Sequence, residues 1–502
     1  MAAKQQTIMY KSTRNSDLRV TSSQAILQGL APDGGLFVPE KLPVWDGDFR
    51  KLAEQSYKET AYQVMRLLLT DFTEEELKSC IDKAYDEKFD DPAMAPLVHK
   101  GDAFYLELFH GKTIAFKDMA LSILPHLMTT AARKNHSTDE IVILTATSGD
   151  TGKAAMAGFA DVEGTKIIVF YPKDGVSRVQ ELQMRTQRGA NVHVVGIDGN
   201  FDEAQTGVKN IFQDKVMEER MKKASLRFSS ANSINIGRLV PQIVYYFHAY
   251  GQLIAQGQIK PGERINITVP TGNFGNILAA YYGKRMGLPV AKLICASNEN
   301  KVLVDFFRTG AYDKNRSFKL TSSPSMDILV SSNLERLIYR ISGDDSEETS
   351  RLMNELTSQG VYKITDGMYT KLSDFYGNYA DEQETSDEIA QVCKETGYVI
   401  DTHTAVASKV YRKYREETGD TTPTVIASTA SPYKFARTVV TAIEPDKDGL
   451  DDSALIDELH RVSGVKIPEA IEDIRTAEIR HSTFIPGEDM EKEIASWLGL
   501  AD

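Results

Sequence analysis

Beyond residue 100, short apolar runs alternate with segments of helical period. "EIVILTA" precedes "TGKAAMAGFADV", "TKIIVFYP" precedes "VSRVQELQMRTQ", and "ANVHVVGID" precedes "FDEAQTGVKNIFQDKVMEER". "RINITVP" then leads into "NILAAYYGKRMG", followed by "AKLICASN". Unbroken apolar strands each followed by a helix predict parallel βαβ units, because such strands are buried on both faces. "YVIDTHTAVASKVYRKYREETG" and "TPTVIASTASPYKFARTVV" repeat the strand–helix order near the end. Between the two groups, "SSANSINIGRLVPQIVYYFHAY" predicts a buried helix crossing between two α/β lobes. The apolar stretch "LVPQIVYYFHAYGQLIA" is broken by Pro241, Gln242, His248 and Gln252 and is short for a membrane span.

The first 100 residues follow a different pattern. "APDGGLFVPE" is dense in Pro and Gly and predicts a loop. "FTEEELKSCIDKAYDEKF" has an acidic start and apolar positions at helical spacing. The expected architecture is therefore α/β with two parallel-sheet lobes. A mostly helical N-terminal domain spans residues 1–100, and a two-lobed region spans 101–440. The smaller lobe covers about 118–235, and the larger covers about 101–117 and 236–440. A polar helical insertion is expected at about 305–395 and a charged helical extension at 441–502.

Composition narrows the function. The 502 residues suggest two to four domains. Hydrophobic residues at 41% and charged residues at 26% are ordinary for a soluble protein. The net charge of −13 argues against nucleic acid or an anionic membrane as partner. It leaves room for a small anion held by local N–H groups. Cys80, Cys295 and Cys393 are odd in number and far apart, so neither a disulfide framework nor a zinc site is expected. The N-terminal stretch has no long apolar core of a secretory signal. The expected location is the cytoplasm; the sequence leaves the oligomeric state open, monomer or dimer.

Candidate chemistry lies at strand-to-helix junctions, because open parallel sheets bind ligands at the carboxyl ends of their strands. In "VPTGNFGNILAA", Gly272 and Gly275 open a helix, which makes either a phosphate cup or a plain glycine turn. In "TATSGDTGKAAMAG", the P-loop spacing fails, leaving Thr147, Ser148 and Thr151 as anion ligands or helix caps. In "SSANSINIGRLV", Asn232, Asn235 and Arg238 lie at or before a helix start; Arg238 suits a phosphate or a carboxylate, or an ordinary surface ion pair. "IASTASPYKFA" adds the hydroxyls of Ser428, Thr429 and Ser431. Ahead of all four, a helix starting near Phe116 in "LFHGKTIAFKDMALSIL" puts Lys117, Ala120, Leu121 and Leu124 on one face, with Asp118, Ser122 and Pro125 largely off it. Taken alone, Lys117 is a snorkelling lysine. With an anion cup, hydroxyl loops and an arginine downstream, it fits a lysine that forms a Schiff base with pyridoxal phosphate.

The ordered motifs "YKSTR", "GLAPDGGLFVPE", "FHGKTIAFKDMAL", "TATSGDTGKAA", "PTGNFGNILA", "SPSMDI", "SSNLERL" and "DTHTAVA" resemble the threonine synthase family of fold-type II pyridoxal-phosphate enzymes. The resemblance covers roughly residues 8–440 and is closest to the bacterial and fungal branch with an N-terminal extension. It implies that Lys117 carries the cofactor and that Gly272, Asn273, Phe274, Gly275 and Asn276 cradle its phosphate. It also places Asp150 beside the pyridine 3-oxygen, where repulsion favours one shared proton, and Thr429 at the pyridine nitrogen. Thr147, Ser148, Thr151, Asn232 and Arg238 match positions that hold the substrate's carboxylate and phosphate. Lys112, Thr402 and Ser431 depart from the family's usual residues, so the roles of Lys112, His403 and Ser431 stay open. The implied reaction takes O-phospho-L-homoserine and water to L-threonine and phosphate. The alternatives are a serine/threonine dehydratase, a phospholyase on a related amino-acid phosphate, and an inactive ligand-binding homologue.

Overall fold

The computed structural model describes residues 7–147, 149–173, 176, 178–199 and 201–500. Two parallel sheets carry the fold. The smaller has five strands in the order Thr483–Pro486, Val192–Asp198, Thr165–Pro172, Glu140–Ala146, Leu226–Ser229, all parallel. The larger has six, in the order Phe375–Tyr379, Val290–Ser297, Ile265–Pro270, Thr424–Ser428, Ala103–Glu107, Leu97–Lys100. Only the last of these pairs antiparallel. Helix Ile236–Ala255 leads from the smaller sheet to the larger and is buried along most of its length. Asn235 caps it by accepting from the Gly237 N–H at 2.9 Å. No described helix is long and apolar enough to cross a membrane.

Four details differ from the sequence expectations. "GLFVPE" is not all loop: Phe37–Pro39 pairs antiparallel with Tyr10–Ser12, which also pairs with Asn15–Val20. Tyr10–Ser12 and Phe37–Pro39, three residues each, are too short to show a period. The helices around them start at Thr21, Ser56 and Thr73, each of which forms a capping box. "YVID" forms no strand; Asp401 accepts from the His403 and Thr404 N–H groups and caps helix Thr402–Thr418. The 305–395 segment is not purely helical, since it supplies the edge strand Phe375–Tyr379 and the strands Ala311–Asp313 and Val361–Lys363. The C-terminal extension likewise adds a strand, Thr483–Pro486, to the edge of the smaller sheet.

Candidate active site

Lys117 begins the one-turn helix Asp118–Leu121, not a long amphipathic one. All four residues of that turn are buried, Asp118 included. The reason is local: Asp118 accepts from Thr113 N–H at 2.8 Å and from Thr113 Oγ1 at 2.7 Å. These bonds fold the preceding loop back onto the turn. The loop is then stitched to the end of strand Thr424–Ser428. Leu108 N–H donates to Ser428 O at 2.9 Å, Ser431 N–H to Ile114 O at 3.0 Å, and Phe116 N–H to Thr429 O at 2.8 Å. Ile114 is held at a φ of 51°, a strained conformation for a β-branched residue.

A second contact fixes the depth of Lys117. Helix Asp150–Phe159 follows strand Glu140–Ala146 and crosses the lysine's turn at Gly158. A Cβ there would lie 2.1 Å from the Leu121 carbonyl oxygen. Glycine is therefore required for the approach.

Around Lys117 sits a cluster of buried charge. Asp150 and Lys434 pair at 3.0 Å, with side chains 8% and 4% exposed. Lys434 also donates to the Thr113 carbonyl at 3.0 Å. Burial pushes the Lys117 amine down to about 8; Asp150 opposes this shift, while Lys434 and Arg238 add to it. Burial works against ionisation of Asp150, yet the Lys434 and Lys117 ammoniums hold its carboxyl well below the usual carboxylate range. Lys434 is thus a counter-charge to Asp150 that the sequence reading did not include. Sequence reasoning missed Lys434, although "SPYKFA" contained it.

Arg238 is buried, and burial lowers it to about 10. Its Nη1 donates to the Ala231 carbonyl at 3.0 Å, and its Nε has no partner. Among the described residues no carboxylate pairs with it. A buried guanidinium without a counter-charge is costly unless an anion completes it.

The expected cup follows strand Ile265–Pro270 and opens helix Gly275–Arg285. Phe274 takes a left-handed φ of 66° and packs against the stacked rings of Phe307 and Phe375, at 6.1 and 6.0 Å. A Cβ on Gly272 would meet the Ser325 carbonyl at 2.4 Å. Asn273 is exposed, and its carbonyl accepts from the Asn333 N–H at 3.0 Å. Asn276 Oδ1 accepts from the hydroxyls of Tyr245 (2.7 Å) and Tyr246. Its buried Nδ2 is left without a partner. Helix Ile236–Ala255 therefore ties the two orphaned donors together, since Arg238 and Tyr245 lie two turns apart on one face. A glycine cradle, a helix N-terminus and unpartnered N–H donors fit a phosphate group.

The remaining candidates are less directly placed. Thr147 Oγ1 accepts from the N–H groups of Gly149 and Gly152 at 3.0 and 2.9 Å, a capping role. Thr151 is partly buried at the start of the same helix. Ser148 lies outside the described residues. Asn232 is exposed and accepts from Ser233 Oγ at 3.2 Å. Lys112 is exposed, and Ser431 caps the short helix Pro432–Phe435. His403, buried, faces Asp401 Oδ2 through Nδ1 at 2.8 Å and accepts the Ser325 N–H on Nε2 at 3.2 Å. It thereby anchors the segment that closes on Gly272.

The sequence model of the threonine synthase N terminus matches residues 9–85, that of pyridoxal-phosphate dependent enzymes residues 98–430, and that of the threonine synthase C-terminal region residues 404–486. Threonine synthase of Schizosaccharomyces pombe is 37% identical over 88% of this chain and 90% of its own length. Threonine synthase-like 1 of Homo sapiens is 40% identical over 84% of this chain, and the match spans only 58% of that protein's length. Among solved structures, threonine synthase from yeast superposes with a TM-score of 0.87 at 32% identity, covering 98% of this chain and 99% of its own. PLP-bound threonine synthase from Brucella melitensis gives 0.85 at 34% identity, covering 98% of each chain. The chain belongs to the threonine synthase family of pyridoxal-phosphate-dependent enzymes.

Proposed function

We propose that the chain converts O-phospho-L-homoserine and water into L-threonine and phosphate, the final step of threonine biosynthesis, in the cytoplasm. The observation that carries this reading is Arg238, a buried guanidinium without a carboxylate partner that acts electrostatically on Lys117. An enzyme that releases phosphate beside a reactive lysine needs such a group.

Pyridoxal phosphate, when bound, supplies the electron sink for charge developing next to the substrate nitrogen. In this reading Lys117 holds it, and the N–H groups of Gly272, Asn273, Phe274, Gly275 and Asn276, with Asn276 Nδ2, bind its phosphate. Thr429 meets the pyridine nitrogen, and Asp150 lies toward the 3-oxygen. Lys117, with its amine pushed down to about 8, takes the Cα proton of the substrate and then a Cβ proton. Arg238 stabilises the phosphate leaving Cγ, helped by the loop of Thr147, Ser148 and Thr151 and by Asn232. Cγ then gains a proton, water adds at Cβ, and Cα is reprotonated.

Purified chain supplied with pyridoxal phosphate and O-phospho-L-homoserine should release threonine and phosphate in equal amounts. Ammonia and a 2-oxo acid instead of threonine would indicate the dehydratase or phospholyase reading. Absence of the bound cofactor's visible band would indicate an inactive homologue.

A further inference from the structure

Lys434 belongs to the buried charge cluster, and the proposed reaction assigns it no role. It stands on the short helix Pro432–Phe435 after strand Thr424–Ser428 of the larger sheet. Its partner Asp150 opens a helix of the smaller lobe, so their 3.0 Å contact joins the lobes directly beside Lys117. Two ammoniums thus face one buried carboxylate. Asp150 pairs with Lys434, and the Lys117 side chain makes no ion pair or hydrogen bond with any described residue. Lys434 takes Oδ1 of that carboxylate, and the pairing draws Asp150 toward the larger sheet's loop. Here Lys434 is doubly fixed, by Asp150 and by the Thr113 carbonyl, and Thr113 is itself bound to Asp118 in the lysine's own turn.

We infer that Lys434 is a positioning residue for the Lys117 amine: it holds the Asp150 carboxylate away, leaving that amine free to bond to a carbonyl carbon. The inference rests on the reading of Lys117 as the cofactor lysine. An unneutralised carboxylate next to an ammonium raises its pKa by about 1–3 units, which removes most of the reactive neutral form. The charged groups acting on Lys117 are Asp150, Lys434, Arg238 and Asp118. Those acting on Asp150 include Lys434, Lys117 and His403. Lys153, from the same helix as Asp150, also feels Lys434. Of these, Lys434 alone is ion-paired with Asp150.

The test follows the pH dependence of cofactor attachment in the full chain, read from its visible absorbance and from borohydride trapping located by peptide mass. Variants K434M, K434R, D150N and K434M/D150N are compared with the parent. In K434M the pH midpoint for attachment should rise by about one unit or more, so that trapping at a fixed pH below both midpoints falls about tenfold. The double variant should recover, and K434R should stay near the parent. D150N alone should lower the midpoint, which keeps the inference testable even if K434M fails to fold. An unchanged midpoint in both K434M and D150N would overturn it. So would a double variant shifted as far as K434M, because a merely structural role cannot be rescued by removing the second partner. Failure of the underlying reading is separate: it would appear as trapping at a residue other than Lys117.

Discussion

The main-chain N–H of Phe116 donates to the carbonyl of Thr429 at 2.8 Å. This bond places Lys117 at the mouth of a strand whose residues lie some three hundred positions later in the chain. It also brings the lysine within electrostatic reach of Lys434, on the short helix after that strand. The site is thus an edge-to-edge junction of two loops of the larger sheet, closed from the other lobe by the helix that begins at Asp150.

That closure makes Gly158 critical. Gly158→Ala would drive a Cβ into the Leu121 carbonyl, 2.1 Å away, so either the turn carrying Lys117 or the helix carrying Asp150 must move. The expected cost is about 1–3 kcal/mol of stability, with a larger loss of activity than stability alone would give. Chemical denaturation and steady-state turnover on the same preparation would check both.

Asn276 offers a more selective change. Asn276→Asp keeps an acceptor for the two tyrosine hydroxyls but replaces the orphaned Nδ2 donor with an anion. Cofactor affinity should fall by about 10–100-fold or more, and the apoprotein's unfolding midpoint should also fall, because the new carboxylate is buried without a counter-charge. Equilibrium dialysis against pyridoxal phosphate measures the first quantity.

Arg336 links the N-terminal domain to the site. It is fully buried, and it donates to Phe37 O at 3.0 Å, to Ile234 O at 2.6 Å and to the Asn333 side chain. Asn333 in turn donates from its backbone to Asn273 of the cup. Arg336→Met would strand three acceptors and should cost about 3 kcal/mol or more, seen as a lower denaturant midpoint. Proteolysis should then cut first between the N-terminal strands and the rest.

His110 supplies a pH dependence. Burial works against its protonation, but Asp90 at 2.6 Å and Glu107 at 2.8 Å raise it to about 9 from an ordinary value of 6.5. A group whose folded pKa is raised contributes stability in full below its unfolded pKa and loses it as pH climbs through the folded one. Stability should therefore decline between pH 6.5 and about 9, by on the order of 3 kcal/mol at most. His110→Gln should be less stable at pH 6 and flatter across that window in denaturation series at fixed ionic strength.

The parallel strands were legible because burial on both faces leaves unbroken apolar runs, as in "TKIIVFYP" and "RINITVP". The role proposed for Lys117 comes from the order of motifs, since periodicity alone makes it a snorkelling residue. What escaped reading was set by tertiary contact. Asp118 looked like an outward-facing residue until Thr113 folded back onto it. The counter-charge of Asp150 also escaped, because Lys434, remote in sequence, meets it only across the lobes. Thr483–Pro486 gave no strand signal, because its pairing exists only where the edge of Val192–Asp198 waits for it.

The central claim is that Lys117 acts on O-phospho-L-homoserine within an anion-binding pocket, and one paired assay tests it most directly. Threonine and phosphate are measured together from the parent chain and from Lys117→Ala, each supplied with pyridoxal phosphate. The account predicts equal release of both products by the parent and none by the variant, which should also lack the cofactor's visible band while remaining folded. Undiminished threonine formation by Lys117→Ala, or phosphate release by the parent without threonine, would contradict it.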